Sequence, residues 1–396
     1  MCAARAGQKG KRVLVLERAE KPGKKILISG GGRCNFTNLG AGPANYLSAN
    51  RHFAKSALAR YTARDFLDLV KAYSIAWHEK TLGQLFCDGS AKQIVDMLLE
   101  ECAKGDVELA LGQAPQDVSH SDGAFSLRVG DRKLSAPALV IATGGPSIPK
   151  MGATGFAYDL ARRFGLKIVE PRPALVPLTL GGEDVLFRAL SGVAAPVEAR
   201  ANKASFREAA LFTHRGLSGP AILQVSSYWR PGDSVTIDFL PDHLPDWLIT
   251  AKRETPRATA KGVLGSVLPG RLAETLAERL DLPGELANLP DRKLESAARQ
   301  LAAWTFVPNG SEGFAKAEVT AGGISHAVVA PIMATMRNSQ KPWQAVTDPA
   351  HTVTAGGAGL RSNPITSREI SGRFRMSPGP VANTNAVCSR LSMQAG

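Results

Sequence analysis

The most informative pattern in the chain is KPGKKILISGGGRCNFTN, residues 21–38. Its three consecutive glycines, residues 30–32, can adopt positive φ angles and let the backbone approach a ligand closely. Lys24, Lys25 and Arg33 place positive charge beside them. A basic, glycine-rich loop suits a pyrophosphate or the polar edge of a flavin. Considered alone, three glycines are also compatible with a loop that is merely flexible.

An apolar run that ends in an acid precedes this stretch. RVLVLE, residues 12–17, is typical of a buried parallel strand. In a dinucleotide-binding βαβ unit, the acid that ends the second strand binds the adenosine ribose, and a GxGxxG loop lies about 20 residues before it. Counted back from Glu17, that loop falls before residue 1. Glu17 is therefore either an ordinary strand-end acid or the ribose ligand of a chain expected to lack its first strand and phosphate loop.

Hydrophobic periodicity predicts an α/β unit after the glycine loop. Apolar residues at helical spacing predict amphipathic helices over 53–73 and 91–102. Residues 107–111 and 125–129 are predicted strands, and Gly130 begins a hairpin turn into a further strand that ends at Ile141. The alternation of strand, helix and a small β-meander is typical of a Rossmann-like domain.

The second half of the chain has a different pattern. Short strands such as 193–199 and 234–239 dominate up to residue 242, and proline-interrupted helical patterns follow from 244 to 304. This predicts a β-plus-α domain, residues 173–315, inserted in a first domain that comprises 1–172 and returns at 316–324. Residues 325–396 contain six prolines and no sustained period, so we expect a disordered tail.

Several strings, taken in order, resemble the BaiN/YhiN-type flavoproteins. These are NAD(P)/FAD-dependent oxidoreductases with a glutathione-reductase-like FAD domain. The strings are SGGGRCNFTN (29–38), APALVIATGG (136–145), MGATGFAYDLA (151–161), PALVPL (173–178), LFTHRGLSGPAIL (211–223) and AEVTAGG (317–323). The resemblance covers roughly residues 1 to 324.

Two parts of the family pattern do not appear in this sequence. Members begin with a strand and a GxGxxG loop, and after the AGG string they carry a segment resembling GLYFAGEVLDVDGYTGGYN. Because neither appears, we expect a chain truncated at its N-terminus and altered at its C-terminus, as a mis-set start and a frameshift would produce. We also expect FAD to be weakly retained.

The resemblance implies a cofactor, a reaction and a set of site residues. The cofactor is FAD, and the implied reaction passes a hydride from NAD(P)H to the flavin and then to a small organic substrate. The protein supplies binding and orientation, since the flavin carries the electron chemistry. The implied cofactor-binding residues are Glu17, Lys25, Ser29, Gly30, Gly31, Gly32, Arg33, Cys34, Asn35, Thr37, Asn38, Thr143, Gly144, Gly145, Gly322 and Gly323.

Two residues are candidates for a chemical role beyond binding. Cys34 follows the basic glycine loop, where a thiol pKa can be lowered, although packing beside the cofactor is favoured because no CxxC partner exists. His214 lies in a Gly/Ser-rich loop. It is a general acid/base, a residue that hydrogen-bonds a substrate oxygen, or a residue without a functional role. His78 is interpreted as a surface residue. The five cysteines show no metal-ligand spacing, so no metal is expected.

The remaining expectations come from charge and hydropathy. The chain carries 48 Lys+Arg against 35 Asp+Glu, but seven of the basic residues and only two acids fall in residues 325–396. A nucleic-acid partner is therefore disfavoured and a small-molecule substrate preferred. An RNA-binding or RNA-modifying flavoprotein and a cofactor-free, degraded family member remain as alternatives. The absence of a long apolar run predicts a cytoplasmic protein without a membrane span, and the oligomeric state is not predicted.

Overall fold

A computed structural model describes residues 1–50 and 52–325. They divide into two compact units, of which residues 1–172 with 320–325 form the first and Pro173–Val319 form the second. The predicted disordered tail lies outside the described residues except for Ser325. In these described ranges, no helix combines the length and apolarity needed to cross a membrane.

The described residues form strands and helices in alternating groups. The strands are β1 (Leu14–Glu17), β2 (Asn35–Asn38), β3 (Trp77–Glu79), β4 (Gln84–Cys87), β5 (Glu108–Leu111), β6 (Gln116–Ser121), β7 (Ala124–Val129), β8 (Arg132–Ala136), β9 (Ile168–Ala174), β10 (Leu178–Thr179), β11 (Ala194–Ala201), β12 (Ala204–Thr213), β13 (Gly216–Ser218), β14 (Val235–Asp238), β15 (Trp304–Phe306), β16 (Gly310–Ser311) and β17 (Val319–Ile324). The α-helices are α1 (Cys2–Gly7), α2 (Lys24–Ile28), α3 (Lys55–Arg60), α4 (Ala63–Ala72), α5 (Ala91–Ala103), α6 (Phe156–Arg163), α7 (Pro220–Ser226), α8 (Trp247–Glu254), α9 (Ala260–Gly265), α10 (Gly270–Arg279) and α11 (Asp291–Ala302). Short 3-10 helices cover Ser29–Gly32, Pro43–Asn45, Pro149–Met151, Gly182–Leu190 and Leu286–Asn288.

The first unit contains a parallel strand pair and two antiparallel sheets. Strand β1 pairs in parallel with β5, so that Glu17 lies opposite Leu111. The antiparallel sheets have the orders β2-β4-β3 and β6-β7-β8. The second of these is the predicted β-meander, and its β7–β8 hairpin turns at Gly130, whose φ of 58° only glycine adopts freely. This unit has the predicted Rossmann-like α/β character with a meander.

Two predicted elements of the first unit have different bounds. The single helix predicted over 53–73 is broken into α3 and α4, because Thr62 accepts a hydrogen bond from the Asp65 amide and caps a new helix there. The strand predicted to end at Ile141 stops at Ala136. Pro137 follows and has no N–H for the ladder, and the strand pairings of the described residues do not continue beyond it.

The second unit is a seven-stranded sheet with helices, which is the predicted β-plus-α arrangement. The strand order is β15-β14-β11-β12-β13-β10-β16, and every neighbouring pair is antiparallel. Strand β11 alternates exposed and buried residues along its length, as a sheet with one face against a core does. Phe187, which has no exposed surface, anchors that core through ring contacts with Phe212, Trp304 and Phe306.

Phe187→Ala is expected to destabilise the second unit by about 3–5 kcal/mol, because the substitution leaves a cavity where three aromatic rings meet. Val185→Ala in the same 3-10 helix is the matched control, since Val185 is 43% exposed, and should change stability by less than about 0.5 kcal/mol. Urea unfolding of both variants measures the difference. Equal destabilisation would contradict the assignment of Phe187 as the core anchor.

Candidate functional site

The three glycines form a tight turn between α2 and β2. Gly30, Gly31 and Gly32 have φ angles of 58°, 65° and 88°, a succession that is strained for any residue with a side chain. The turn is closed by the Cys34 amide, which donates to the Ser29 carbonyl at 3.0 Å. The Ser29 hydroxyl donates to the Ile26 carbonyl at 2.9 Å and so joins the turn to the helix before it.

The first two glycines face different surroundings. A Cβ at Gly30 would lie 2.7 Å from the Asn35 amide nitrogen and 2.7 Å from Cε1 of Phe86. A Cβ at Gly31 would meet nothing within 4 Å. Gly30 therefore packs against the protein, whereas Gly31 presents bare backbone to open space. Arg33, which is exposed, follows the turn and adds positive charge.

Strand β2 follows the glycine turn directly and is buried along its length. Asn35, Thr37 and Asn38 are all buried. The Asn38 side chain donates to the Leu82 carbonyl at 2.9 Å and accepts from the Gly40 amide at 2.7 Å. The side-chain hydrogen bonds of Asn38 are thus made within the protein, where they join the residues after β2 to the turn of the β3–β4 hairpin.

Glu17 occupies the carboxyl end of the parallel strand β1. Its Oε1 accepts a hydrogen bond from the Ala19 amide at 2.8 Å, and the side chain is half-buried. Residues at the carboxyl ends of parallel strands line the ligand crevice of open α/β sheets. The acid is therefore held in place at the end of the strand.

A second glycine group lies where β17 returns to the first unit. A Cβ at Gly145 would lie 2.5 Å from Oγ1 of Thr320, and the Ser147 hydroxyl is 2.7 Å from the same Thr320 oxygen. A Cβ at Gly322 would lie 2.4 Å from the Glu170 carbonyl oxygen, whereas a Cβ at Gly144, whose φ is 72°, would meet nothing within 4 Å. Gly145 thus lies beside β17, two residues along the strand from Gly322.

The predicted thiol candidate is fully enclosed. Cys34 and Cys87 both have no exposed surface. Burial, reinforced by the neighbouring Cys34 and Asp88, raises the pKa of Cys87 to about 12. A thiol in such surroundings stays protonated and unreactive. For Cys34, the complete burial of the side chain keeps reagents and substrates away from the thiol.

The predicted histidine candidate lies in the second unit. His214 and Arg215 form the exposed two-residue turn between β12 and β13. Thr213 Oγ1 accepts from the Gly216 amide at 3.1 Å, and Arg215 pairs with Glu312 at 3.3 Å. The turn is rigidly held. The glycine loop, in contrast, belongs to the first unit.

A histidine that was predicted to be an ordinary surface residue has a carboxylate partner. His78 Nδ1 lies 2.6 Å from Asp88 Oδ1, and the His78 ring stacks on Phe86 with a centroid distance of 6.1 Å. The two partners are ten residues apart in sequence. The signal that could have found them is the hairpin itself, since strands on either side of a short turn bring such residues together.

The described residues contain no candidate metal centre. No group of three or more His, Cys, Asp or Glu side chains that could hold an ion occurs among residues 1–50 and 52–325.

Fold and site together define a Rossmann-like α/β protein with a second, inserted unit. The chain belongs to the HI0933-like protein family, since residues 1–343 match the family described as HI0933-like protein Rossmann domain. This match confirms the fold class and the family that the sequence motifs predicted.

Three relatives show how close the similarity is. A ribosomal RNA dihydrouridine synthase of Escherichia coli (strain K12) is 49% identical over 328 residues, which cover 82% of each chain. A protein of the same name from Haemophilus influenzae is 44% identical over 335 residues, covering 83% of this chain and 84% of the relative. A 3-dehydro-bile acid delta(4,6)-reductase of Clostridium scindens is 26% identical over 339 residues, covering 81% and 82%.

These relatives correct one prediction. The preference for a small-molecule substrate, with nucleic acid disfavoured, is wrong, because the relatives at 49% and 44% identity are named for ribosomal RNA. The error came from assigning the positive charge to the tail and to cofactor binding. Residues 1–60 alone carry twelve Lys+Arg against two acids, Glu17 and Glu20, which is more than one pyrophosphate needs.

Gly30→Ala is expected to destabilise the protein more than Gly31→Ala. Both substitutions impose a positive φ on alanine, at a cost of about 1–3 kcal/mol, but only the first also forces a methyl group against the Asn35 amide and Phe86. Thermal unfolding of the cofactor-free variants measures the difference. Equal melting temperatures for the two variants would contradict the contact between Gly30 and Phe86.

The Cys87 thiol is expected to resist alkylation by iodoacetamide at pH 8, because its pKa of about 12 keeps it protonated. It should react once the protein is unfolded, where its pKa returns to the ordinary 9.0. Since the folded pKa is raised, this thiol's contribution to stability is full below pH 9 and falls as the pH rises toward 12. Mass spectrometry after labelling gives the measurement, and rapid native labelling of Cys87 would contradict it.

Proposed function

We propose that this protein is an FAD-dependent enzyme that reduces uridine to dihydrouridine in ribosomal RNA. The 49% identity over 82% of each chain to a ribosomal RNA dihydrouridine synthase carries the proposal. It corresponds to the RNA-modifying alternative that the sequence left open. The relative named as a bile acid reductase is far less similar, at 26% identity.

The glycine groups fit an FAD molecule. Gly31 and Gly144 both have positive φ and open space where a side chain would be, and such bare backbone can bind phosphate or a flavin edge closely. Glu17 would bind the adenosine ribose, as acids at this strand position do. Basic residues beside the first glycine group, including Lys25 and Arg33, would offset the cofactor's negative charge.

The reaction needs a hydride donor and a proton donor. Bound FAD in its reduced form would supply the hydride, and the protein's residues would bind the RNA, exclude water and deliver the proton. A reduced nicotinamide is the proposed source of the electrons, following the family resemblance. The nicotinamide and the RNA would use the flavin in successive steps.

Charge distribution supports RNA as the substrate. The second unit, residues 173–319, carries 16 Lys+Arg and 17 Asp+Glu, and is therefore almost neutral. The positive excess of the described residues lies in the first unit, in its first 60 residues. Members of this basic set that are exposed are Lys9, Lys11, Arg12, Arg18, Lys21, Lys24, Arg33, Lys55 and Arg60. Lysine and arginine bind the RNA backbone by neutralising phosphates.

Incubation of the protein with FAD, a reductant and ribosomal RNA that lacks dihydrouridine is expected to yield dihydrouridine. Mass spectrometry of nucleosides detects the gain of two hydrogen atoms on the uracil. NADH, NADPH and dithionite are compared as reductants, so that a wrong electron donor does not conceal the reaction.

Omission of FAD is the control and should abolish product. RNA binding should weaken steeply as salt is raised, because phosphate contacts release counterions. The proposal is refuted when dithionite visibly bleaches the bound flavin and the RNA still contains no dihydrouridine.

A further inference from the structure

The β3–β4 hairpin carries a histidine–carboxylate dyad. Nδ1 of His78 lies 2.6 Å from Oδ1 of Asp88. Asp88 is held just past the end of β4, where its amide donates to the Ala76 carbonyl at 3.0 Å. The carboxylate thus lies beside Nδ1 and fixes the orientation of the imidazole ring. This leaves Nε2 as the nitrogen that can exchange a proton with a bound molecule.

The dyad is open to a substrate. The side chains of His78 and Asp88 are 41% and 49% exposed. Two thiols lie near the glycine loop, Cys34 directly after it and Cys87 in the adjoining sheet. Neither has exposed surface, and the raised pKa of Cys87 makes that thiol a poor acid. Of His78, Cys34 and Cys87, only His78 has a proton-exchanging side chain that solvent or a substrate can reach.

The dyad also lies close to the glycine loop. The rings of His78 and Phe86 are nearly parallel, with an interplanar angle of 15°. Phe86 also contacts Gly30, since its Cε1 lies 2.7 Å from the point where a Cβ on Gly30 would be. One aromatic ring therefore separates His78 from the loop. Lys80 Nζ lies 5.4 Å from the centroid of the same ring, which adds positive charge suited to an RNA phosphate.

From this geometry we infer that His78 is the general acid of the reaction and that Asp88 is its positioning residue. The inference rests on the proposed function. Reduction of uracil breaks the C5=C6 π bond, with a hydride added to one carbon and a proton to the other. Reduced FAD, when bound, would supply that hydride together with its two electrons. The proton leaves Nε2 of His78, and solvent then reprotonates the neutral imidazole.

A single-turnover experiment tests the assignment. FAD-loaded protein is reduced with dithionite, freed of excess reductant without oxygen, and mixed with ribosomal RNA that lacks dihydrouridine. His78→Ala and His78→Gln are expected to slow dihydrouridine formation by about 10²–10⁴-fold, the usual contribution of a general acid. Asp88→Asn should slow it less, by roughly tenfold, because the histidine remains. Added imidazole should restore part of the rate to His78→Ala only.

Two controls separate chemistry from folding and binding. His243→Ala replaces another exposed histidine, in the second unit, and should keep the wild-type rate. Reoxidation of the reduced flavin by oxygen and binding of the RNA should be unchanged in His78→Ala and His78→Gln.

Three results would overturn the inference. A wild-type rate in both His78 variants excludes the residue as the acid. A slow rate that imidazole does not rescue, accompanied by lost RNA binding, makes His78 a binding residue instead. If the wild-type protein itself forms no dihydrouridine, the proposed function fails and this inference falls with it.

Discussion

The contact between the Gly30 backbone and Phe86 is the constraint on which the first unit depends. No side-chain carbon fits there, because both the Asn35 amide and the phenyl ring lie 2.7 Å from its position. Glycine at this position therefore lets the turn lie directly on the β2–β4–β3 sheet. The amide of Cys87 donates to the Arg33 carbonyl at 3.0 Å and ties the end of the turn to β4. Gly31, the next residue of the turn, leaves open space where a side chain would be.

Much of the fold follows from local signals in the sequence. The run of glycines predicted positive φ angles, and Gly130 predicted the meander's hairpin, because in both places the backbone conformation itself selects the residue. Helix α5 was predicted within a residue of its observed end, since its apolar stripe is long. The break between α3 and α4 was missed, because the hydrophobic periodicity continues across Thr62. The helix is interrupted there by the capping hydrogen bonds of the Thr62 side chain, which periodicity does not reveal.

The candidate site was predicted less completely than the fold. The glycine strings identified backbone with positive φ, and the structure places Gly145 beside Thr320 of β17. Sequence motifs could not show that the Asn38 side chain binds Leu82 and Gly40 within the protein. The partner was mistaken for a related reason. The positive charge was divided between a tail and a cofactor. The excess within residues 1–60 belongs to the first unit, and clustered charge of one sign favours association with a polyanion.

His78 shows why an acid/base group is hard to find by sequence alone. In the sequence His78 is flanked by an aromatic residue and an acid, a pattern typical of an exposed strand, and Asp88 is ten residues away. The pair forms only because β3 and β4 are in register, with His78 opposite Phe86. The neighbouring β2–β4 pairing sets Asn35 opposite Phe86, and Phe86 contacts Gly30. The glycine loop and His78, the proposed proton donor, therefore pack against the same phenyl ring. In the proposed reaction, one packing residue would thus position both the FAD-binding loop and the proton donor.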